Sequence, residues 1–207
     1  MKDLVFIIAV KKDGQLKKEY EYSIKSWNYW CKKNDVELFL MEEPVTDMND
    51  MHIIWQRYFL FDMLDHNEIE YNQILMVDAD TIIHPDCPNF FNETDDKYCL
   101  IHDDGSYDWI LRGMEHYEKY VFNDEWFDFW EYGNSGFQIV NKHDIDINLM
   151  SYKYNMTCMP KKEILGDDHL YTKLGWIYHF NGIPDKNVNV PLLMEKSYNY
   201  LYGNLDD

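Results

Sequence analysis

Ile74–Thr81 reads Ile-Leu-Met-Val-Asp-Ala-Asp-Thr, an apolar run that ends in two acids separated by one residue. Such a run is typical of a buried strand. Side chains two positions apart in an extended segment point to the same face, so we expect Asp78 and Asp80 to converge. Carboxylates that close repel unless a cation lies between them, and their oxygens suit Mg²⁺ or Mn²⁺, which bridge to substrate phosphates. The pair predicts a metal–diphosphate site; the alternative is a solvated strand end with two surface acids.

Strands and helices alternate on the N-terminal side of this run. We expect strands at Leu4–Val10 and Val36–Met41, and helices over about residues 17–33 and Ile53–Leu64, where apolar residues recur every three or four positions. This alternation predicts βαβ units and an α/β fold with a Rossmann-like, mostly parallel sheet flanked by helices. Ligands of such sheets lie beyond the carboxyl ends of the strands, which is where the two acids stand.

The pattern is looser in the C-terminal half, and the tail after about Pro191 carries no clear signal. The expected elements there are strands at Tyr98–His102, Phe137–Val140 and Trp176–Phe180, a turn at Gly133–Gly136, and a helix that begins near Gly166–Asp168.

Composition excludes several classes of partner. The chain has 207 residues, with 38 Asp+Glu against 19 Lys+Arg and a net charge of −19. A nucleic-acid binder needs a basic surface to neutralise phosphates, and anionic lipid is disfavoured for the same reason. A small anionic substrate remains compatible with this charge if a bound metal accompanies it. The length suits one domain over residues 1–207, which is either a whole protein or a module of a longer one.

The N-terminus and the cysteines indicate a reducing compartment. Leu4–Val10 is too short for a membrane span, which needs about 20 apolar residues, and it lacks the cleavage pattern of a signal peptide. The cysteines are dispersed and form no C-x-x-C pair, so a disulfide framework is not expected. We therefore expect a cytoplasmic protein with no membrane span.

Several segments, taken in order, resemble signature elements of GT-A-fold glycosyltransferases, which are metal-dependent enzymes with a D-x-D motif that use nucleotide-sugar donors. The resemblance covers about residues 4–182 and is to small viral-type enzymes similar to the glycogenin-like and galactosyltransferase-like branches. A K-P-W sequence that often follows the last element is absent here. The matching segments are Trp55-Gln56-Arg57 (W-x-K/R), Ile74–Thr81 (strand and D-x-D), Asn134–Asn141 (N-[AS]-G and a strand), Asp167–Leu170 (D-Q/D-x-x-L) and His179–Gly182 (H-F-x-G).

The resemblance implies a metal site for Mn²⁺ or Mg²⁺. Asp80 is the first ligand that it implies, Asp78 is a second ligand or a ribose and metal contact, and His179 is the third ligand. Imidazole binds a metal only when neutral, so affinity should fall at acid pH. The alternative for His179 is a half-buried strand histidine that is hydrogen-bonded to backbone.

The resemblance also implies donor-binding residues. Arg57 and Lys11 or Lys12 are candidate phosphate contacts, although Arg57 could instead form a surface ion pair with a neighbour such as Asp62. The alternative for Asn134 and Ser135 is that they only form the expected turn at Gly133–Gly136. The full donor set is Ala9, Val10, Lys11, Glu42 (or Glu43), Arg57, Asp78, Ala79, Asn134, Ser135, Gln138 and Lys186.

The catalytic candidates implied are Asp167 and Asp168, with Asp168 favoured. In an inverting enzyme one of them is the general base for the acceptor hydroxyl, and in a retaining enzyme it orients the donor sugar. The alternative role for either is to cap the following helix. Trp109, Trp126 and Trp130 are candidate acceptor contacts because flat aromatic faces beside acids suit a carbohydrate; the simpler interpretation is ordinary core and rim packing.

Together these features predict a transferase that moves a sugar, with a UDP-hexose as the favoured donor, to a carbohydrate or glycoprotein acceptor. Two other functions fit parts of the sequence. A haloacid-dehalogenase-type phosphatase would use Asp78 as nucleophile, but its aspartate normally follows the first strand and its motif has Thr or Val where Ile82 stands. A non-catalytic sugar-binding module would keep the aromatic residues without needing the metal ligands.

Overall fold

The computed structural model describes residues 1–95, 97–102, 107–120, 132–141, 147–149, 156–157, 176–181, 183 and 185–205. Its strands are β1 (Lys2–Ile8), β2 (Glu37–Met41), β3 (Tyr71–Asp78), β4 (Thr81–Ile83), β5 (Tyr98–His102), β6 (Gly133–Asn141), β7 (Ile147–Leu149), β8 (Met156–Thr157) and β9 (Ile177–His179). Its helices are α1 (Lys18–Asn34), α2 (Ile53–Gln56), α3 (Phe59–His66), α4 (Tyr107–Tyr120) and α5 (Lys186–Tyr202), with a 3₁₀ turn at Phe90–Glu93.

The described strands form a main sheet and a small one. The main sheet has the order β2-β1-β3-β6-β5-β7. Strand β1 pairs in parallel with β2 and β3, β6 is antiparallel to β3 and β5, and β5 is parallel to β7. The small sheet has the order β4-β9-β8. The predicted α/β class with a mixed, mostly parallel sheet is confirmed.

The central strands are apolar because helices cover both of their faces. On one face, Trp27 and Trp30 of α1 pack with Val5 and Leu75 in one buried cluster. Alternate residues of the same strands point the other way and join a second cluster with α3. Its Leu60 and Leu64 are fully buried, and each contributes roughly 1.5–3 kcal/mol of burial energy. These two layers fix the position of the carboxyl ends of β1 and β3.

The predicted helix Ile53–Leu64 is divided into two. Residues 57 and 58 connect α2 to α3 through i to i+3 hydrogen bonds, with the amide of Tyr58 donating to the carbonyl of Trp55 and the amide of Leu60 to that of Arg57. Gln56 is buried and uses its side-chain amide on the preceding loop, where it binds Thr46 and Met51. The break follows from these tertiary contacts, which apolar periodicity does not record.

The expected turn at Gly133–Gly136 is instead the start of strand β6. Gly133 pairs with His102 of β5. A Cβ on Gly133 would lie only 2.8 Å from Leu100 Cδ1. Glycine here permits a close approach within a strand, so the glycine-rich composition wrongly predicts a turn.

The C-terminal tail, which carries no clear sequence signal, is the long helix α5 with Pro191 inside it. Its buried residues include Leu193, Met194 and Tyr202, and they pack with Ile82 of β4 in a third cluster. The hydroxyl of Tyr202 donates to the carbonyl of Ile83 (2.7 Å). The proline obscures a helix that tertiary burial stabilises.

Among the described helices, none is long and apolar enough to cross a membrane. Cys31, Cys87 and Cys99 are buried free thiols, and burial raises the pKa of Cys31 to about 12. Cys158 lies outside the described residues.

Candidate active site

The acidic pair lies where β3 meets β4. Strand β3 ends at Asp78, residues 79 and 80 form a turn, and β4 begins at Thr81. The hydroxyl of Thr81 donates to the carbonyl of Asp78 (2.7 Å) and closes the turn. Asp80 is therefore in a tight turn and not in the extended segment that the i, i+2 argument assumed. The two carboxylates converge nevertheless, because the turn directs both of them toward β9.

His179 reaches the acids through the small sheet. It pairs with Thr81 in the antiparallel β4–β9 ladder, and the amide of Phe180 donates to the carbonyl of Asp80 (2.8 Å). The His179 Nε2 atom lies 3.2 Å from Asp80 Oδ1 and 3.4 Å from Asp78 Oδ2. One ligand atom from each of the three residues lies within 4.8 Å of the others. The structure thus brings the three metal ligands of the sequence prediction into one cluster.

Each carboxylate uses one oxygen for a basic residue of the protein. Arg57 Nη2 donates to Asp78 Oδ1 (2.7 Å), and Lys186 Nζ donates to Asp80 Oδ2 (3.0 Å). The remaining oxygens, Asp78 Oδ2 and Asp80 Oδ1, face His179. Each acid is therefore oriented so that one oxygen can serve a cation.

The charges of the cluster shift its pKa values. Burial alone would lower the pKa of His179, but hydrogen bonds and charge from Asp78 and Asp80 outweigh it and raise the pKa to about 9. Burial by itself raises the pKa of both carboxyl groups. The hydrogen bond and charge of His179, together with the charge of Arg57 at Asp78 and of Lys186 at Asp80, outweigh that effect and lower the pKa of each acid below its ordinary value. In the metal-free protein the imidazolium is thus the cation between two carboxylates.

This donor set fits a divalent metal. Two ionised carboxylates are ligands that Mn²⁺ and Mg²⁺ accept, with open positions left for phosphate, and a neutral imidazole is a common metal ligand. The Nδ1 atom of His179 is buried and has no hydrogen-bond partner among the described residues, so the ring is held mainly through Nε2. A metal must replace the proton that Nε2 carries.

We expect metal affinity to rise with pH. The raised pKa of His179 stabilises the metal-free fold fully below pH 6.5, and this contribution is lost as the pH rises toward about 9. Metal binding releases the same proton. The Kd for Mn²⁺ should therefore fall by about tenfold for each unit by which the pH rises, up to about pH 9. Isothermal titration calorimetry with Mn²⁺ at several pH values measures this slope. The prediction would be contradicted if the Kd for Mn²⁺ did not change between pH 7 and 9 in wild type, as is expected only for His179→Gln.

Two cavities meet at the acidic pair. The larger is a cleft of about 620 Å³ that Asp78, Asp80 and His179 help to line. The smaller has about 160 Å³ and an apolar wall that includes Ile8 and Tyr20. Asp78, Asp80 and Lys186 border both cavities. The acidic pair therefore lies between a broad cleft and a smaller cavity that has an apolar wall.

Solved structures that share this fold include glycosyltransferases. A glycosyltransferase involved in the glycosylation of the major capsid of PBCV-1 matches with a TM-score of 0.61 and 10% identity, over 95% of this chain and 100% of its own. The galactosyltransferase LgtC, solved in complex with donor and acceptor sugar analogs, matches with a TM-score of 0.51 and 13% identity over 96% of each chain. This chain has the GT-A fold.

A further match is the bifunctional glycosyltransferase WbbM, with a TM-score of 0.53 and 8% identity over 95% of this chain and 49% of that one. No protein-family model and no curated protein matches the sequence. At these identities the matches define the fold alone, and the chemistry has to be argued from the residues of this GT-A chain.

The predicted donor residues at the end of β1 lie beside the second strand. Ala9 is buried, and its amide donates to the carbonyl of Met41. The amide of Lys11 donates to the carbonyl of Glu42, and its Nζ lies 2.8 Å from Glu42 Oε2. Val10, between them, is half-buried. Lys11 therefore already has an acidic partner in Glu42 and lines neither of the two cavities described above.

The predicted residues of β6 divide between the cleft and its support. Asn134 and Ser135 line the cleft together with Gly136. Asn134 Oδ1 accepts a hydrogen bond from the Gly136 amide (2.8 Å). Gln138 is buried, accepts from the hydroxyl of Tyr98 (3.2 Å) and donates to the carbonyl of Ser135 (3.2 Å). Gln138 thus supports the wall of the cleft from behind.

Arg57 is buried, with 6% exposure, and is not a surface partner of Asp62. Each of its three nitrogens donates a hydrogen bond: Nε to the carbonyl of Ile54 (2.9 Å), Nη1 to that of Ser135 (2.6 Å), and Nη2 to Asp78. The guanidinium thus connects α2, β6 and Asp78 by hydrogen bonds. Sequence could not indicate this arrangement, because the partners are distant along the chain.

We expect Arg57→Lys to weaken Mn²⁺ binding by about tenfold or more in the absence of nucleotide, because one ammonium cannot replace the fork that orients Asp78. Arg112→Lys on the exposed face of α4 is the matched control. Calorimetric titration with Mn²⁺ measures the effect. Unchanged Mn²⁺ affinity with weakened UDP binding would assign the guanidinium to phosphate instead.

Some predicted residues lie outside the described part of the chain, namely Asp167, Asp168, Trp126 and Trp130. Trp109 of α4 lines the cleft and is exposed. Trp55 and Tyr117 also line it and were not predicted as site residues. Trp55 had a sequence signal, since it belongs to the W-x-K/R element.

Proposed function

We propose that this chain is a metal-dependent glycosyltransferase that moves a sugar from a nucleoside-diphosphate sugar, with a UDP-hexose favoured, to a carbohydrate or glycoprotein acceptor. The observation that carries the proposal is the cluster of Asp78, Asp80 and His179, whose ligand atoms lie within 4.8 Å of one another at the junction of two cavities. The fold supports it, because the solved structures described above are glycosyltransferases.

In this proposal the cluster holds Mn²⁺ or Mg²⁺, and the ion supplies positive charge to the leaving diphosphate when bound. The protein needs such an ion, since its net charge is −19 and its buried arginine already serves Asp78. Lys186 is the other cation at the site. Its side chain is 59% exposed at the start of α5 and borders both cavities, so we assign it to the diphosphate.

The transfer step is a substitution at the anomeric carbon of the donor. The acceptor hydroxyl oxygen forms the new bond to that carbon, the bond from carbon to the diphosphate oxygen breaks, and its electron pair leaves with the diphosphate. The hydroxyl proton passes to a base, which we assign to Asp168 or Asp167 if the enzyme inverts. Asn134 and Ser135, on the wall of the cleft, are assigned to the donor sugar.

A donor panel with metal tests this function. We expect one nucleoside-diphosphate sugar to raise the melting temperature only when Mn²⁺ or Mg²⁺ is present, and to be hydrolysed slowly. At about 100 times its Kd a ligand stabilises by about 2.7 kcal/mol, which corresponds to a shift of several degrees for a chain of this size. The readouts are a thermal-shift assay and release of nucleoside diphosphate.

Other outcomes of this panel would overturn the proposal. No shift with any donor would contradict it. Release of phosphate from simple phosphomonoesters, abolished by Asp78→Asn, would favour the phosphatase. Sugar binding that survives both Asp78→Ala and Asp80→Ala would favour a non-catalytic module.

A further inference from the structure

Two tryptophans from different helices line the same cleft. Trp55 of α2 is 52% exposed and Trp109 of α4 is 57% exposed, and both border the cleft of about 620 Å³. Single exposed apolar residues are normal on a protein surface. Two large aromatic residues that face the cavity of the acidic cluster are a feature of a binding site.

Both indoles are held by neighbouring rings. Trp55 stacks on Tyr58, with ring centroids 6.4 Å apart and planes 30° apart. Trp109 meets the edge of Tyr132 at 6.5 Å, and Tyr117 lies 6.4 Å from the same tyrosine. Each indole thus lies beside a neighbouring ring and still leaves about half of the residue's surface exposed.

The helix that carries Trp55 is also fixed at its base. The neighbouring Gln56 is fully buried, and its side-chain amide binds the preceding loop. Its Oε1 accepts hydrogen bonds from the amides of Val45 and Thr46. Its Nε2 donates to the carbonyls of Thr46 and Met51. Arg57 then ties the end of α2 to Asp78. The position of Trp55 is thereby coupled to the metal cluster.

Polar groups lie beside these rings. Ser135 and Asn181 line the same cleft, and the buried Oδ1 of Asn181 has no hydrogen-bond partner in the part of the chain that the structure describes. A sugar hydroxyl can donate to such an oxygen. Aromatic faces beside hydrogen-bonding groups match the two faces of a sugar ring, which presents C–H groups to one side and hydroxyls to the other.

We propose that Trp55 and Trp109 form the acceptor subsite and that the acceptor is a neutral glycoside whose sugar ring packs against these indoles. The proposal rests on the function proposed above and adds the class of acceptor. An anionic sugar is not expected, because Lys186 is the one Lys or Arg among the described residues that line the cleft, and it is assigned above to the diphosphate. The cleft volume accommodates a donor sugar and an acceptor together.

The test uses 4-nitrophenyl glycosides as acceptors, with the donor that the panel identifies and Mn²⁺. Neutral β-glucoside, β-galactoside, β-xyloside and α-mannoside are compared with the anionic β-glucuronide. We expect transfer to at least one neutral glycoside and none to the glucuronide. Trp55→Ala and Trp109→Ala should each raise the acceptor KM by about tenfold.

Tyr120→Ala is the control, since this tyrosine is exposed at the other end of α4 and does not line the cleft. Its acceptor KM should not change. Unchanged KM in both tryptophan variants, preference for the glucuronide, or donor hydrolysis with no transfer to any glycoside would overturn the acceptor proposal alone. Absence of donor binding in wild type would instead overturn the proposed function.

Discussion

Asp80→Asn is expected to lower donor hydrolysis and sugar transfer by about 1,000-fold. The substitution keeps the shape of a side chain that is 10% exposed, but it removes the negative charge that faces His179 and Lys186. A cation at the cluster then loses one of two ionised ligands, and the leaving diphosphate loses the positive charge that the cation brings. Release of nucleoside diphosphate, separated by chromatography, measures the rate with saturating donor and Mn²⁺.

The matched control is Asp86→Asn. Asp86 follows β4, is largely exposed and pairs with Lys33 on the surface (3.1 Å). It should retain full activity, since exposed ion pairs contribute about 0–1 kcal/mol. If Asp80→Asn retained more than about a tenth of wild-type turnover, the carboxylate of Asp80 would not be a metal ligand.

Gly136→Ala is expected to disrupt the cluster of Asp78, Asp80 and His179, because Gly136 lies against the ring of His179. A Cβ at this position would overlap His179 Cε1 and would lie 2.9 Å from His179 Nδ1. His179 is 2% exposed and lies within the β4–β9 ladder, so its ring has little room to move. We expect a 10- to 100-fold loss of Mn²⁺ affinity, roughly the size of effect that ligand-orienting neighbours have, and a loss of about 1–3 kcal/mol in the free energy of unfolding.

Val140→Ala on the same strand separates these two effects. Val140 lies near the far end of β6, opposite Ile74, and its truncation also destabilises the fold. It should leave Mn²⁺ affinity unchanged. Equal Mn²⁺ affinities for Gly136→Ala and Val140→Ala in calorimetric titrations would show that the close contact between Gly136 and His179 has no bearing on metal binding.

Local sequence patterns predicted the elements that carry the acids. The apolar runs of β1 and β3 are buried on both faces, and this burial makes them continuous in sequence. Patterns also placed α1 and β2 to within a residue or two of their bounds. The β3 run, with Asp78 at its end, was therefore readable from sequence without knowledge of the rest of the fold.

Contacts between distant segments were not readable in this way. His179 was predicted only through a family resemblance, because its proximity to Asp80 depends on the β4–β9 ladder. The role of Arg57 depends on a break between α2 and α3 that periodicity did not indicate. Helix α5 was missed because Pro191 weakens its local signal while tertiary packing supplies its stability.

The central claim is that Asp78, Asp80 and His179 hold a cation that carries the diphosphate of a nucleotide sugar. Calorimetric titration of UDP into the protein, with and without Mn²⁺, tests it most directly, because coupling between the two ligands is a property of one shared site. We predict that Mn²⁺ tightens UDP binding by about tenfold or more, and that Asp80→Asn abolishes this coupling. Equal UDP affinity with and without Mn²⁺, or coupling that persists in Asp80→Asn, would contradict the claim.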